Sequence, residues 1–185
     1  NLTTDPEFAG LYGFSEDEIR RLIPEVLDTD VYGQSAEAVV ERMKEWYNGY
    51  HFSPDSTESV FNASMSCYYL RALQRLNHEP VTMIDPAFAQ DLQKIVGILQ
   101  LGDPEFVKTV VTKGLQREAI RFPMGDLQLL NLNQQEKLDD DGVLSAMVYL
   151  GYLTFAEGDS FSLVVPNRAV AIQFFEYYQQ YILAT

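Results

Sequence analysis

Hydrophobic residues recur at helical spacing in the first third of the chain and predict two helices there. Ser15-Glu-Asp-Glu18 has the pattern of a capping box, and it precedes an apolar series that Pro24 kinks or shortens. The second helix begins at Ser35 and ends at Asn48-Gly49, because this pair suits the left-handed backbone conformation. The apolar positions of the two helices are Ile19, Leu22, Ile23, Val26 and Leu27, then Val39, Val40, Met43, Trp46 and Tyr47.

In the middle of the chain, cap residues mark where helices begin. Asp85-Pro86 and Asp103-Pro104 each place a capping carboxylate before the helical position that tolerates proline, and Gly114 is expected to end the second of these helices. The runs Ile120 to Phe122 and Leu127 to Leu132 are expected to be extended. The predicted middle helices are 62–77, 86–100 and 104–113.

The last third of the chain alternates between helical and strand-like patterns. An apolar helix is predicted over 143–150, followed by two strand-like runs at 152–156 and 160–165 that Glu157-Gly-Asp159 joins as a hairpin. Pro166-Asn167 then opens a final helix with an aromatic face. Helix, two-stranded wing and helix together outline a winged-helix-like element.

These patterns predict a mainly α fold, in which a helical bundle carries a small antiparallel β-hairpin wing. The predicted division is a helical lid-like region at 1–132 and a winged-helix-like element at 133–185, packed as one compact unit.

Composition restricts the function classes that the chain can serve. Of 185 residues, 46% are hydrophobic and 22% are charged, as in a globular protein. The net charge of -14 disfavours general binding to nucleic acid, and 13 of the 27 acids lie within the first 60 residues. A single cysteine and the absence of a signal-like or membrane-spanning run predict a reducing cytoplasm. Because the sequence begins with asparagine rather than methionine, the chain is expected to be a processed protein or a piece of a longer one.

No assembled catalytic pattern is found in the sequence. The glycine-rich loop with lysine that holds nucleotide phosphates is absent, as are Gly-x-Gly-x-x-Gly and the acid and Glu-x-Lys spacing of a PD-(D/E)XK nuclease. Asp139-Asp-Asp141 is interpreted as a helix cap rather than a metal site. His51 and His78 have no matching nucleophile motif, and Cys67 is expected to be a small buried hydrophobe. Catalytic residues, metal ligands and a cofactor are therefore not assigned to the chain.

Two sets of residues are candidates for function. The rings of Trp46, Tyr47 and Tyr50 surround an Asn-Gly turn, where they either anchor a helix end to the core or form a recognition surface. Arg168 begins the last helix, where a cation opposes the helix dipole, so an acidic partner or ligand is expected beside it. It forms either a structural salt bridge or a phosphate sensor.

An ordered series of segments carries a resemblance to a known family. The segments are Asn1-Leu-Thr-Thr-Asp-Pro-Glu-Phe-Ala9, Leu11-Tyr-Gly-Phe-Ser-Glu-Asp-Glu-Ile19, Met43-Lys-Glu-Trp-Tyr-Asn-Gly-Tyr-His-Phe52, Val60-Phe-Asn62, Leu138 to Thr154 and Val165-Pro-Asn-Arg-Ala-Val170. Together they resemble the C-terminal part of the AAA-ATPase-like family, whose members are often followed by a PD-(D/E)XK nuclease-like domain. Ala63 departs from the proline that is usual after the asparagine of this family.

The resemblance implies a helical lid and winged-helix-like portion without its ATPase core. The expected function is that of a non-catalytic regulatory module, which packs over nucleotide and couples its state to a partner, with Arg168 sensing the nucleotide. ATP and Mg²⁺ are implied only for the full-length parent, whose own ATPase core is the expected partner. The alternatives are a recognition module whose acidic face docks a basic protein and, with less support, a DNA-binding winged helix.

Overall fold

A computed structural model describes residues 13–28, 32–53, 55–56, 58–86, 92–123 and 137–183. Within these residues the chain forms seven α-helices and two small antiparallel sheets, so the predicted mainly α fold with a β-hairpin is confirmed. The helices are α1 (Glu16–Val26), α2 (Ala36–Tyr47), α3 (Ala63–Leu76), α4 (Leu92–Leu99), α5 (Pro104–Gln116), α6 (Asp140–Tyr149) and α7 (Arg168–Tyr177). The strands are β1 (Gly13–Phe14), β2 (Phe61–Asn62), β3 (Ile120–Arg121), β4 (Thr154–Ala156) and β5 (Asp159–Val164).

Side-chain caps begin six of the described helices at positions that the sequence indicates, whereas the predicted start at Asp85-Pro86 is followed by residues outside the described ranges. At α1 the capping box is complete: the Glu18 N–H donates to Ser15 Oγ at 3.2 Å, and the Ser15 N–H donates to Glu18 Oε2 at 2.8 Å. Such caps satisfy backbone donors that the helix itself leaves unpaired, and each stabilises by about 1 kcal/mol. The caps of the later helices α2, α3, α5, α6 and α7 are Ser35, Asn62, Asp103, Asp139 and Asn167.

Gly114 does not end α5 as predicted. The helix continues to Gln116, and Arg117 takes the left-handed conformation at φ 57°. Gly114 is buried against Phe174 of α7, and a Cβ added there would lie 2.8 Å from the ring. This glycine therefore permits two helices to approach closely, which a sequence pattern does not distinguish from a helix stop.

Cys67 is exposed, so the prediction of a buried cysteine is wrong. Its neighbours Met65 and Tyr69 point into the core from α3. Each helical residue turns by about 100°, so a residue two positions from both lies on the opposite, solvent-facing side. The other predictions for the middle of the chain hold in part: Ile120–Arg121 is a strand, whereas the extended run Leu127 to Leu132 lies outside the described residues.

The predicted hairpin belongs to a three-stranded sheet. Its strands β4 and β5 pair antiparallel around Gly158, which adopts φ 71°, and β3 pairs with the other edge of β5. The order is therefore β3-β5-β4. In the other sheet, β1 and β2 place Phe14 opposite Phe61.

Buried side chains form two clusters. The N-terminal cluster consists of side chains from α1, α2 and α3 together with Phe61 and Ala169, whereas the C-terminal cluster consists of Tyr50, Val60 and side chains from α4 to α7 and the three-stranded sheet. Helix α6 lies inside the C-terminal cluster, since every residue from 142 to 148 is buried. The domain boundary predicted between 132 and 133 lies outside the described residues.

None of the helices in the described ranges has both the length and the apolar composition needed to cross a lipid bilayer.

Candidate functional site

Two segments far apart in the sequence meet where the two clusters join. We call this contact between residues 46–50, at the end of α2, and residues 166–168, at the start of α7, the junction. The side-chain amide of Asn167 donates from Nδ2 to the Asn48 carbonyl at 3.0 Å. Gly49, at φ 96°, lies so close that an added Cβ would be 2.2 Å from the Pro166 carbonyl oxygen. The sequence predicted Asn48-Gly49 as a helix stop, and only Gly49 has a positive φ, since Asn48 is extended.

Asn167 contributes to the junction through both ends of its amide. While Nδ2 donates across to Asn48, Oδ1 accepts from the Val170 N–H at 3.2 Å and caps α7. An aspartate could cap the helix but could not donate to a carbonyl, so the contact requires an amide. One buried side chain thus determines both where α7 begins and where it meets α2.

Arg168 contacts two residues of α2. Its Nη1 lies 2.5 Å from Glu45 Oε1, and the guanidinium carbon lies 4.7 Å from the ring centroid of Trp46. The acidic partner expected beside this cation is therefore Glu45. The side chains of Arg168 and Glu45 are 47% and 42% exposed, so both charges remain in contact with solvent.

Further ion pairs continue from Glu45 across α2. Arg42 Nη1 lies 3.6 Å from Glu45, and its Nε donates to Glu79 at 3.0 Å. Glu79 also accepts from the Tyr69 hydroxyl at 3.0 Å. Its carboxylate raises the pKa of Arg42, while burial, followed by the charge of Glu79, raises the pKa of Tyr69. A series of ion pairs and one hydrogen bond thus links Arg168 at the surface to Tyr69 in the N-terminal cluster.

The three aromatic residues predicted as one set occupy different environments. Tyr47 is buried in the N-terminal cluster, where its hydroxyl donates to the Met83 carbonyl at 2.7 Å and burial raises its pKa. Tyr50 is buried in the C-terminal cluster, and its backbone pairs with Val60. Both tyrosines therefore contribute to packing, while Trp46 is only half-buried.

Trp46 also lines a surface groove of about 430 Å³ between the loop at 82–86 and α7. Met83, Ile84 and Ile172 provide apolar walls, and Glu176 is exposed at one side. The indole N–H of Trp46 is buried and has no acceptor among the described residues. Buried donors without a partner are rare in folded proteins.

The remaining candidates for chemistry have local structural partners. Asp139 Oδ1 accepts from the Gly142 N–H at 2.8 Å, as a cap does. Burial raises the pKa of Asp140, and neighbouring carboxylates, that of Asp103 first among them, add to this effect. The His51 and His78 rings each lie near a backbone carbonyl, at 3.3 and 2.7 Å. Within the described ranges, no three His, Cys, Asp or Glu side chains are placed to hold a metal ion.

Comparisons of the chain with known protein families, with curated proteins and with solved structures found no match. The resemblance to the AAA-ATPase-like family therefore stays a prediction. The junction carries the functional interpretation, since it unites Trp46 and Arg168, which the sequence had singled out separately. It adds Glu45, for which the sequence held no signal, because a pair 123 positions apart in sequence leaves no local pattern.

Proposed function

We propose that this chain is a non-catalytic lid and winged-helix-like module of an AAA-ATPase-like protein. Helical elements followed by helix, hairpin and helix support this proposal, as does the lack of a phosphate-binding loop in the sequence. ATP and Mg²⁺ would bind to the ATPase core of the parent protein, which is also the proposed partner of the module.

The proposed sensing residue is Arg168, and its half-exposed ion pair is the observation that carries the proposal. An exposed Arg–Glu pair contributes only about 0–1 kcal/mol, so exchange of Glu45 for another anion costs little. The planar guanidinium also matches the geometry of phosphate oxygens better than that of a single carboxylate oxygen. Arg168 is thus poised to exchange Glu45 for a nucleotide phosphate.

The exchange would alter the contact between α7 and α2. Among the described residues, Glu45 without Arg168 retains the weaker contact with Arg42 at 3.6 Å, and Arg42 also binds Glu79. The nucleotide state would therefore change the charge balance on one face of α2. This is the proposed route from nucleotide to partner.

The test uses the intact ATPase with Arg168→Ala, Arg168→Lys and Arg75→Ala, the last as an exposed arginine on α3. Loss of a charge-assisted contact to phosphate is expected to weaken nucleotide binding about tenfold in Arg168→Ala. Arg168→Lys should recover part of the affinity, and Arg75→Ala should match the wild type. Unchanged nucleotide affinity and turnover in Arg168→Ala would show that the sensor assignment is wrong.

A second candidate is protein recognition, which the Trp46 groove favours. An apolar groove on a chain with a net charge of -14 suits a basic partner with apolar side chains. The probe is a synthetic amphipathic peptide of leucine and lysine, titrated while the emission of Trp46 is recorded. Salt-sensitive binding that Ile172→Asp removes and Phe175→Asp leaves intact would support recognition in the groove, whereas equal effects of the two changes would contradict it.

DNA binding by the winged-helix-like element is a weaker candidate. A helix that reads DNA must present a face to the groove, but α6 is buried from 142 to 148. Three aspartates at its start would also repel phosphate.

A further inference from the structure

A second pocket, of about 390 Å³, lies beyond the junction at the other end of α7. It opens between the end of α4, the first turns of α5 and Tyr177, which is about 14 Å along α7 from Arg168 at 1.5 Å per residue. Leu99 and Val107 provide buried apolar surface. Its volume falls in the range of small-molecule sites, about 300–1,000 Å³.

One wall of the pocket is aromatic. The rings of Tyr177 and Tyr181 stack with their centroids 5.0 Å apart and their planes 28° from parallel. Beyond Tyr177 the helix widens into a π-helical segment at Tyr178–Ile182, where the Leu183 N–H donates to the Tyr178 carbonyl at 3.0 Å. Turns of this kind are rare and occur frequently at functional sites.

Tyr177 lines the pocket and carries a hydroxyl group that reaches solvent. Only 6% of the residue is exposed, and no hydrogen bond involves its hydroxyl within the described part of the chain. Burial, followed by the effect of Tyr181, raises its pKa, so the hydroxyl is a protonated donor at neutral pH. Because this hydroxyl has no protein acceptor among the described residues, an oxygen of a ligand in the pocket that Tyr177 lines would take the place of solvent as its acceptor.

Charge at the pocket comes from Lys108 and Glu105 on α5. Lys108 is exposed and forms no ion pair with any described residue, so its ammonium group is free to bind an anion. The start of α5 adds no donors, because Asp103 already accepts from the Glu105 and Phe106 N–H groups at 3.1 and 3.0 Å. Glu105 also lines the pocket and repels negative charge, so Lys108 can offset one carboxylate of a ligand but a second one is disfavoured.

We propose that this pocket binds a small aromatic monocarboxylate, whose ring packs against Tyr181 and the apolar wall while its carboxylate pairs with Lys108. The Tyr177 hydroxyl donates to an oxygen of the ligand. The site is separate from Arg168 and does not depend on the proposed function of the junction.

The test measures binding of three probes to the chain by calorimetry and ligand-observed NMR. Benzoate carries both the ring and the charge, benzyl alcohol carries the ring alone, and acetate carries the charge alone. Benzoate is expected to bind about fivefold more tightly than benzyl alcohol, which corresponds to the upper limit for an exposed ion pair. Acetate should show no saturable binding.

Variants then assign the site. Lys108→Gln should reduce benzoate to the affinity of benzyl alcohol and leave benzyl alcohol unchanged, while Lys113→Gln, on the same helix but outside the pocket, should have no effect. Tyr177→Phe keeps the ring and should weaken benzoate by several fold without altering thermal stability by more than a few degrees. The proposal is overturned if benzoate does not bind, if benzyl alcohol binds equally well, or if Lys108→Gln and Lys113→Gln behave alike.

Discussion

The guanidinium of Arg168 lies over the indole ring of Trp46, with 4.7 Å between the guanidinium carbon and the ring centre. Trp46 is the only tryptophan of the chain, so its emission reports this contact directly. The two residues lie far apart in the sequence, and their pairing holds the first turn of α7 against the last turn of α2.

Replacement of Arg168 by alanine should therefore change the emission of Trp46 while the chain remains folded. Loss of the exposed ion pair and of the cation–π contact should lower the free energy of unfolding by about 1 kcal/mol. Urea unfolding followed by fluorescence measures both quantities. Arg75→Ala is the control, and an emission spectrum that stays the same in Arg168→Ala would show that the contact does not form in solution.

Gly49→Ala should destabilise the chain far more than Gly33→Ala. Both glycines have positive φ values, 96° and 76°, so either alanine is strained by about 1 kcal/mol. At Gly49 the new methyl group would also meet the Pro166 carbonyl at 2.2 Å, whereas nothing lies within 4 Å at Gly33. The expected additional loss is about 2 kcal/mol or more in urea unfolding. Equal losses at the two positions would contradict the close approach at the junction.

Thr154→Val should cost about 2 kcal/mol, because it leaves two backbone groups without partners. The Thr154 hydroxyl oxygen accepts from the His51 N–H at 2.7 Å and donates to the His51 carbonyl at 2.8 Å, and the residue is 2% exposed. Thr154→Ser retains the hydroxyl and should recover much of the loss. Thr109→Val removes a hydroxyl that bonds an exposed carbonyl on α5 and should be nearly neutral. A neutral Thr154→Val would mean that water reaches His51.

Acid should weaken the packing of α1 on α2 through Glu16. Lys44 at 2.8 Å, followed by Arg20 at 2.7 Å, lowers the pKa of Glu16 below its ordinary value of 4.5. A carboxylate whose pKa is lower in the folded state stabilises fully above pH 4.5, and this contribution is lost as the pH falls through the folded-state pKa. The free energy of unfolding should thus fall less steeply between pH 6 and pH 3.5 in Glu16→Gln than in the wild type. Glu25→Gln, an exposed change on α1, should follow the wild type, and parallel curves for all three proteins would refute the assignment.

The sequence predicted those parts of the fold that depend on neighbouring residues. Caps at Ser15, Asn62, Asp103 and Asn167 are recognisable because the donor and acceptor lie within three positions of each other. Gly114 was misread because the reason for a glycine there is Phe174, on a helix 60 positions later. Short-range patterns cannot report such a contact.

The sequence predicted the residues of the candidate site one by one and not as a single site, because the contacts that unite them join residues far apart in the sequence. Trp46 and Arg168 are unusual residues at helix ends, and this made each a candidate. Their contact depends on Asn167 reaching Asn48 and on Gly49 lying against Pro166, none of which leaves a periodic signal. Likewise, Tyr47 and Tyr50 appear as one aromatic group in the sequence, but the turn between them directs their rings into different clusters.

Helix α7 contributes adjacent residues to both clusters: Ala169 packs in the N-terminal cluster and Val170 in the C-terminal one. The two clusters therefore cannot rotate past each other at this helix without breaking the packing of one of these residues. Arg168 and Tyr177 are the two ends of one continuous helix, so a displacement of either end also moves the other. Any motion of the two clusters relative to each other must therefore involve α7 as a whole.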